Sequence, residues 1–238
     1  MLGNNASKPV AVVAGAGAGN GQALAKRFAE AGYAIALLAR NLQKTQVLAN
    51  ELENTKAYAC DVGDEQSVAA AFTAIHEELG PTNVLLFNAG SGVFADIESI
   101  TPDQFESAWR VNALGALLCA QQIIPGMKAR QQGNIVFIGA TASRRGGANT
   151  AAFAPAKAAQ HSLAESMARK LWPEGIHVSI VIIDGIVDLP KTRESMPDKA
   201  DDEFIDPAAV AEAAYVMTTQ SRKGWSFETE VRPWRENW

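Results

Sequence analysis

Ala14-Gly-Ala-Gly-Ala-Gly-Asn-Gly21 follows the short apolar run Val10–Ala14 and precedes a helical pattern that opens at Asn20. Glycines there let the backbone turn tightly and approach a pyrophosphate, and the unpaired N–H groups of the helix N-terminus face the negative charge. A glycine-rich string alone is a weak signal. Strand, turn and helix in that order are the context the motif requires. The chemistry implied is dinucleotide binding, with a purely structural glycine turn as the alternative.

At the end of the second apolar run stand Ala39-Arg40-Asn41, with no carboxylate. Dinucleotide folds place an acidic residue there for the ribose 2′-hydroxyl of NAD, or accommodate the 2′-phosphate of NADP with an arginine. Arg40 presents a fork of donors that suits a phosphate. The expectation is NADP(H) over NAD(H), against a solvated surface arginine. Further along, Arg144 and Arg145 precede Gly146-Gly147. Two guanidiniums there suit a substrate carboxylate or phosphate, or else form a solvated pair or a salt bridge between subunits. His76, His161 and His177 have no metal-ligand spacing. Cys60 and Cys119 have no CxxC spacing and read as reduced, buried thiols.

The elements that must position these residues alternate almost to the end of the chain. Strands are expected at Val10–Ala14, Ala34–Leu38, Lys56–Ala59, Val84–Phe87, Asn134–Ile138 and His177–Ile183, with a closing one at Trp225–Val231. Helices are expected from Asn20 to a cap at Gly32, over Leu42–Leu52, and after an N-cap at Asp64 with Val68, Phe72, Ile75 and Leu79 as its apolar stripe. Thr101-Pro102-Asp103-Gln104 is a capping box with proline at the first helical position, and its helix should run through Ala113 to about Met127. Ala151–Leu171 and a segment capped by Asp206-Pro207 complete the set. The fold class implied is α/β: one Rossmann-type doubly wound domain spanning 1–238, its parallel sheet covered on both faces. Residues 1–8 read as a short N-terminal extension. Residues 184–206, charged and rich in turn formers, read as a substrate-side loop or lid.

At 238 residues the chain is long enough to bury about 70% of its unfolded surface. A net charge of −5 gives no basic footprint for nucleic acid or an anionic membrane. No stretch reaches the ~18 apolar residues of a membrane span, and the N-terminus lacks the pattern of a signal peptide, so a cytoplasmic protein is expected. Trp225, Trp234 and Trp238 read as core or subunit packing.

Gly15, Gly19 and Gly21 in Gly-x-x-x-Gly-x-Gly, Asp61-Val62 after the third strand, Asn88-Ala89-Gly90 after the fourth, Asn112 in a mid-chain helix and Lys157 coincide in one chain. Together they resemble the short-chain dehydrogenase/reductase family over nearly the whole sequence. The resemblance implies a seven-stranded parallel sheet, a dimer or tetramer, and hydride transfer between a nicotinamide and a carbonyl or alcohol carbon. It implies a cofactor held by Gly15, Gly19, Asn20, Gly21, Arg40, Asn41, Asp61, Val62, Asn88, Ala89, Gly90, Lys157, Gly185 and Val187. Asp61 would approach the adenine, Asn112 would hold a water in a proton relay, and Lys157 would bind the nicotinamide ribose.

The family's tyrosine, which gives or takes the proton, would stand at position 153, and its serine thirteen residues earlier at 140. Here those residues are Phe153 and Ala140. Asp184-Gly185 replaces the family's Pro-Gly, and Leu189 replaces a threonine near the carboxamide. A carbonyl accepting hydride needs a proton and donors to its developing oxyanion. Thr141, Ser143 and Thr150 are the nearby hydroxyls, with high pKa values that make them poor acids. Two readings stand: an NADP(H)-dependent oxidoreductase acting on an unnamed small molecule through a non-standard proton relay, and a nucleotide-binding sensor, scaffold or partner subunit without turnover.

Overall fold

Apolar runs become strands and periodic segments become helices in the computed structural model, which describes residues 8–235. The N-terminal extension, apart from Lys8, and Trp238 lie outside the described residues. The first half alternates β1 (Val10–Ala14), α1 (Asn20–Glu30), β2 (Ala34–Ala39), α2 (Leu42–Glu51), β3 (Thr55–Ala59), α3 (Glu65–Leu79) and β4 (Thr82–Phe87). Then come α4 (Pro102–Trp109), α5 (Gly115–Arg130), β5 (Gly133–Ala140), α6 (Phe153–Leu171) and β6 (Ile176–Ile183). The last stretch holds β7 (Ile186–Val187), α7 (Pro190–Ser195), β8 (Phe204–Ile205), α8 (Pro207–Thr219) and β9 (Glu228–Val231).

Seven strands pair in parallel in the order β3-β2-β1-β4-β5-β6-β9. β6 is buried along its whole length, which its unbroken apolar run requires. One face of the sheet packs Phe72, Ile75, Cys119, Met127 and Ala164 from α3, α5 and α6. The other packs Leu24, Phe28, Val210 and Ala214 from α1 and α8. β1 lies between β2 and β4, so the connections run in opposite directions on either side of it. The crevice outside the carboxyl ends of β1 and β4 is where such sheets bind ligands.

The three capped helix starts read from sequence, at Asp64, Thr101 and Asp206, are built as expected. Asp64 accepts from Ser67 N at 2.6 Å, and Asp206 from Ala208 N at 2.8 Å. Thr101 Oγ1 accepts from Gln104 N at 3.3 Å while Gln104 Oε1 accepts from Thr101 N at 3.0 Å.

Several boundaries differ. The long helix after Thr101 is interrupted by a π turn over Arg110–Leu114 and then continues to Arg130. In that turn the Gly115 N–H reaches back five residues to Arg110 O. Gly115 also packs so closely that a Cβ there would lie 2.9 Å from Val62 O. α6 starts at Phe153 rather than Ala151, and Ala151 N donates instead to Ala95 O at 3.1 Å beside an isolated bridge between Ala95 and Thr150. The closing strand starts at Glu228 rather than Trp225, whose ring instead stacks flat on His177 at 4.7 Å. The 184–206 segment is less irregular than its composition suggests: β7 and β8 pair in parallel across it, with α7 between them.

Candidate active site

The turn between β1 and α1 is shaped by contacts only glycine allows. Gly15 has φ +89°, and a Cβ there would stand 2.5 Å from Ala89 N. A Cβ on Gly21 would lie 2.4 Å from Gly15 O. Asn88 ties the turn to β4: its Nδ2 donates to Gly15 O at 2.8 Å and its backbone N to Ala14 O at 2.9 Å. The structure thus makes Gly15 and Gly21 the framework of the loop. Gly19, at φ +90°, lies against the Leu189 side chain. No acidic residue occupies the first turn of α1, which leaves the positive end of its dipole uncompensated.

Two cavities open beside this turn and share Asn88 and Gly90. The first, about 460 Å³, brings together Gly15, Arg40, Asn41, Asp61, Val62 and Ala89 from the ends of β1 to β4. Arg40 is exposed and forms no ion pair with any described residue. Asn41 also caps α2, accepting from Lys44 N at 3.0 Å. Asp61 Oδ1 accepts from Gly63 N at 3.0 Å, a bond that leaves Oδ2 unused. Cys60 borders the same cavity, free and buried, its thiol pushed up to about 11 mainly by burial.

The second cavity, about 650 Å³, lies beyond Gly90 at the ends of β5 and β6. Asn20, Thr141, Arg145, Lys157, Gly185 and Val187 line it, and so do Ala140 and Phe153. Its wall is mostly apolar. Phe94, exposed, leans on Phe153 with ring centroids 5.3 Å apart. None of Tyr33, Tyr58 and Tyr215 reaches either cavity: Tyr58 donates to Glu78 at 3.1 Å, and the other two pack on Phe28. Ser143 is buried, and its Oγ accepts from Ala140 N at 3.1 Å. Thr150 Oγ1 is occupied with Gly147 N at 2.7 Å. The hydroxyl of Thr141 donates to Asp184 Oδ1, so toward the cavity it offers lone pairs rather than its proton.

Lys157 is buried, and Nζ donates to Ile138 O at 2.8 Å and to Gln160 Oε1 at 3.1 Å. Burial pushes its ammonium down to about 8. Asn112 sits in the π turn, fully buried and off the cavity surface, with Nδ2 donating to Ala108 O at 2.8 Å and Ser91 O at 3.2 Å. Its Oδ1, and that of Asn20, are buried without a partner among the described residues. Asn112 Oδ1 would stand 3.4 Å from a Cβ on Gly90. An orphaned acceptor on Asn20 at the wall, glycine backbone no side chain can replace, and a buried lysine lining the cavity all fit a ligand rich in hydroxyl and phosphate groups.

Of the two guanidiniums expected beside a substrate, Arg144 does not line the second cavity: it is held by Glu228 and Glu230 of β9. Arg145 remains at the rim, largely exposed, with one N–H group 3.5 Å from Asp184. Asp184 is buried, and Arg232 donates to it at 2.6 Å. Gln160, Phe94 and the seat of Leu189 on Gly19 were not singled out by sequence. No local pattern marks them, since each depends on a partner far along the chain.

Comparison with known proteins agrees with this architecture. The family model for short chain dehydrogenases matches residues 9–200. A short-chain dehydrogenase from Rhodopseudomonas palustris superimposes with a TM-score of 0.81 at 35% identity, covering 95% of this chain and 98% of that one. A metagenomic short-chain oxidoreductase, solved in complex with NADP, gives 0.84 at 26% identity over 96% and 98% of the two chains. An uncharacterised oxidoreductase of Staphylococcus aureus is 29% identical over 226 residues, 94% of this chain and 96% of its own. A 3-oxoacyl-[acyl-carrier-protein] reductase of Mycobacterium bovis is 32% identical over 182 residues, 76% of this chain and 70% of its own. With its parallel sheet, glycine turn and Lys157 in place, the chain belongs to the short-chain dehydrogenase family.

Proposed function

We propose that this protein is an NADP(H)-dependent oxidoreductase that moves hydride to or from a small carbonyl or alcohol carbon without a tyrosine as proton donor. Lys157 is the observation that carries the reading. Burying an ammonium costs several kcal/mol unless hydrogen bonds or an opposite charge compensate it. Here two carbonyls hold it in place at the wall of a cavity next to the phosphate turn.

In this reading the Gly15–Gly21 turn and the start of α1 hold the pyrophosphate, and Arg40 with Asn41 holds the 2′-phosphate. Asp61 and Val62 border the adenine. Asn88, Ala89, Gly90 and Lys157 hold the nicotinamide half, with Gly185 and Val187 against the carboxamide. NADPH, when bound, supplies the hydride. The chain's own part is to orient both reactants and keep water from the apolar wall formed by Phe94, Phe153 and Leu189. The proton then comes from solvent or from the substrate itself, and Lys157 stabilises the negative charge that develops on the substrate oxygen. Self-association as a dimer or tetramer belongs to the same reading, supported by Phe105 and Trp109, exposed one turn apart on α4.

A second reading, an NADP(H)-binding sensor or partner subunit without turnover, is favoured by one observation. Where a substrate oxygen would need donors, the cavity presents the methyl of Ala140 and the ring of Phe153. NADPH labelled at the transferable hydrogen decides between the two. Incubated with a panel of ketones, enones and oxo acids, the enzyme should deliver the label to one face of at least one of them. Tight NADPH binding with no transfer across the panel would leave the sensor reading standing and remove the first.

A further inference from the structure

We propose that Gln160 is a positioning residue whose side-chain amide braces Lys157 against the backbone of Asn112, fixing the ammonium as a stationary donor to the cavity and closing the path behind it to protons. The proposal rests on the reading above, in which Lys157 serves a bound NADP(H).

Gln160 is fully buried. Its Oε1 accepts from Lys157 Nζ at 3.1 Å, and its Nε2 donates to Asn112 O at 2.9 Å. The two partners fix which end of the amide points where, because an ammonium can only donate and a carbonyl can only accept. Asn112 is an unyielding anchor. It sits in the π turn, where the backbone departs from α-helical register, and its own side chain is pinned to Ala108 O and Ser91 O.

Lys157 has three N–H donors. Ile138 O and Gln160 Oε1 take two, and the third is left for the cavity that Lys157 lines. A neutral amide does not accept a proton at its nitrogen, so the row Lys157–Gln160–Asn112 holds position and conducts nothing. Any proton reaching the reacting oxygen enters from the cavity side.

The titratable and charged groups on neighbouring elements are engaged elsewhere. Arg110 pairs with Glu106 at 2.9 Å, His161 with Glu228 at 2.6 Å, and Arg144 with Glu228 and Glu230. Asp184 holds Thr141 and Arg232, with Arg145 beside it. β5 offers Lys157 only the Ile138 carbonyl. The brace is therefore the one side chain among the described residues that is bonded to this ammonium.

The test follows NADPH affinity against pH in the parent, Gln160→Leu, Gln160→Glu and Lys157→Met. In parallel, competitive labelling of the Lys157 amine by acetic anhydride is followed in the absence of nucleotide. Loss of an acceptor for the charged form lowers the pH midpoint, and a carboxylate beside it raises the midpoint. Gln160→Leu should therefore shift both profiles to lower pH and Gln160→Glu to higher pH, while Lys157→Met abolishes the step in affinity. Gln160→Met replaces the leucine variant if that one does not fold. Midpoints that coincide with the parent in both directions overturn the proposal. If the parent binds no NADPH at any pH, the proposed function fails. The labelling profile then judges the brace alone, and an unmoved midpoint there overturns it.

Discussion

The two cavities that meet at Asn88 and Gly90 are built on opposite principles. The first is walled by backbone, Arg40, Asn41 and Asp61, groups that meet phosphate and hydroxyl oxygens. The second, at the ends of β5 and β6, is walled by Phe94, Phe153, Ala140 and Leu189, with its hydroxyls turned away or already bonded. Both hang from the same parallel sheet. The difference teaches that holding a nucleotide and handling a proton are separate jobs in this architecture, and that side chains at a few strand ends can alter one and leave the other.

The largest effect is expected where the second cavity is pushed back toward the chemistry its family resemblance implies. Ala140→Ser with Phe153→Tyr adds an oxyanion donor and a proton donor beside Lys157. A positioned acid is worth about 10²–10⁴ in rate and one oxyanion donor about 10²–10³. The two act on one oxygen and do not multiply freely. NADPH-driven reduction of a simple ketone should rise about 10²–10⁴-fold over the parent, read from NADPH absorbance loss. A double variant that folds, binds NADPH and gains nothing breaks the comparison, since the second cavity would then be unlike the first by more than its donors.

How much of this contrast the sequence carried follows from distance along the chain. The strands were legible because burial on both faces demands unbroken apolar runs such as Ile176–Ile183. The caps at Asp64, Thr101 and Asp206 were legible because a cap bonds a backbone N–H two or three residues away. The first cavity was legible because glycine spacing and a strand-end arginine are local. Ala140 and Phe153 could be seen as missing donors only through the resemblance. The contacts that surround the second cavity were hidden. Arg144 finds Glu228 and Glu230 more than eighty residues away, Gln160 reaches back forty-eight residues to Asn112, and Phe94 meets Phe153 across two helices and a strand of intervening chain. No period or motif encodes such pairs; only the closed fold brings them together.

A smaller effect should follow from disarming the first cavity. Charge-assisted hydrogen bonds are worth about 1.5–3 kcal/mol, or about 10–100-fold in affinity. Arg40→Ala should weaken NADPH by that factor and leave NADH unchanged, as measured by fluorescence titration of each. Equal loss for both, or none for NADPH, would show that Arg40 is surface and that the polar cavity does not choose its nucleotide through the 2′-phosphate.

The smallest effect belongs to the frame that both cavities share. Thr101 and Gln104 bond each other's backbone N–H groups at the start of α4, well exposed and lining neither cavity. Losing a threonine cap typically costs about 1 kcal/mol, and the 3.3 Å contact from Gln104 N places Thr101→Ala at or below that figure. In a chain of this size about 1 kcal/mol lowers Tm by roughly 2–4 °C. The variant should melt that much earlier, by calorimetry, with unchanged NADPH affinity. The outcome matters because α4 runs straight into the π turn that fixes Asn112, and through Gln160 into Lys157. If a loosened cap also weakened NADPH, the brace would be transmitting helix position to the site, and the cavities would not be as independent of their frame as their walls suggest.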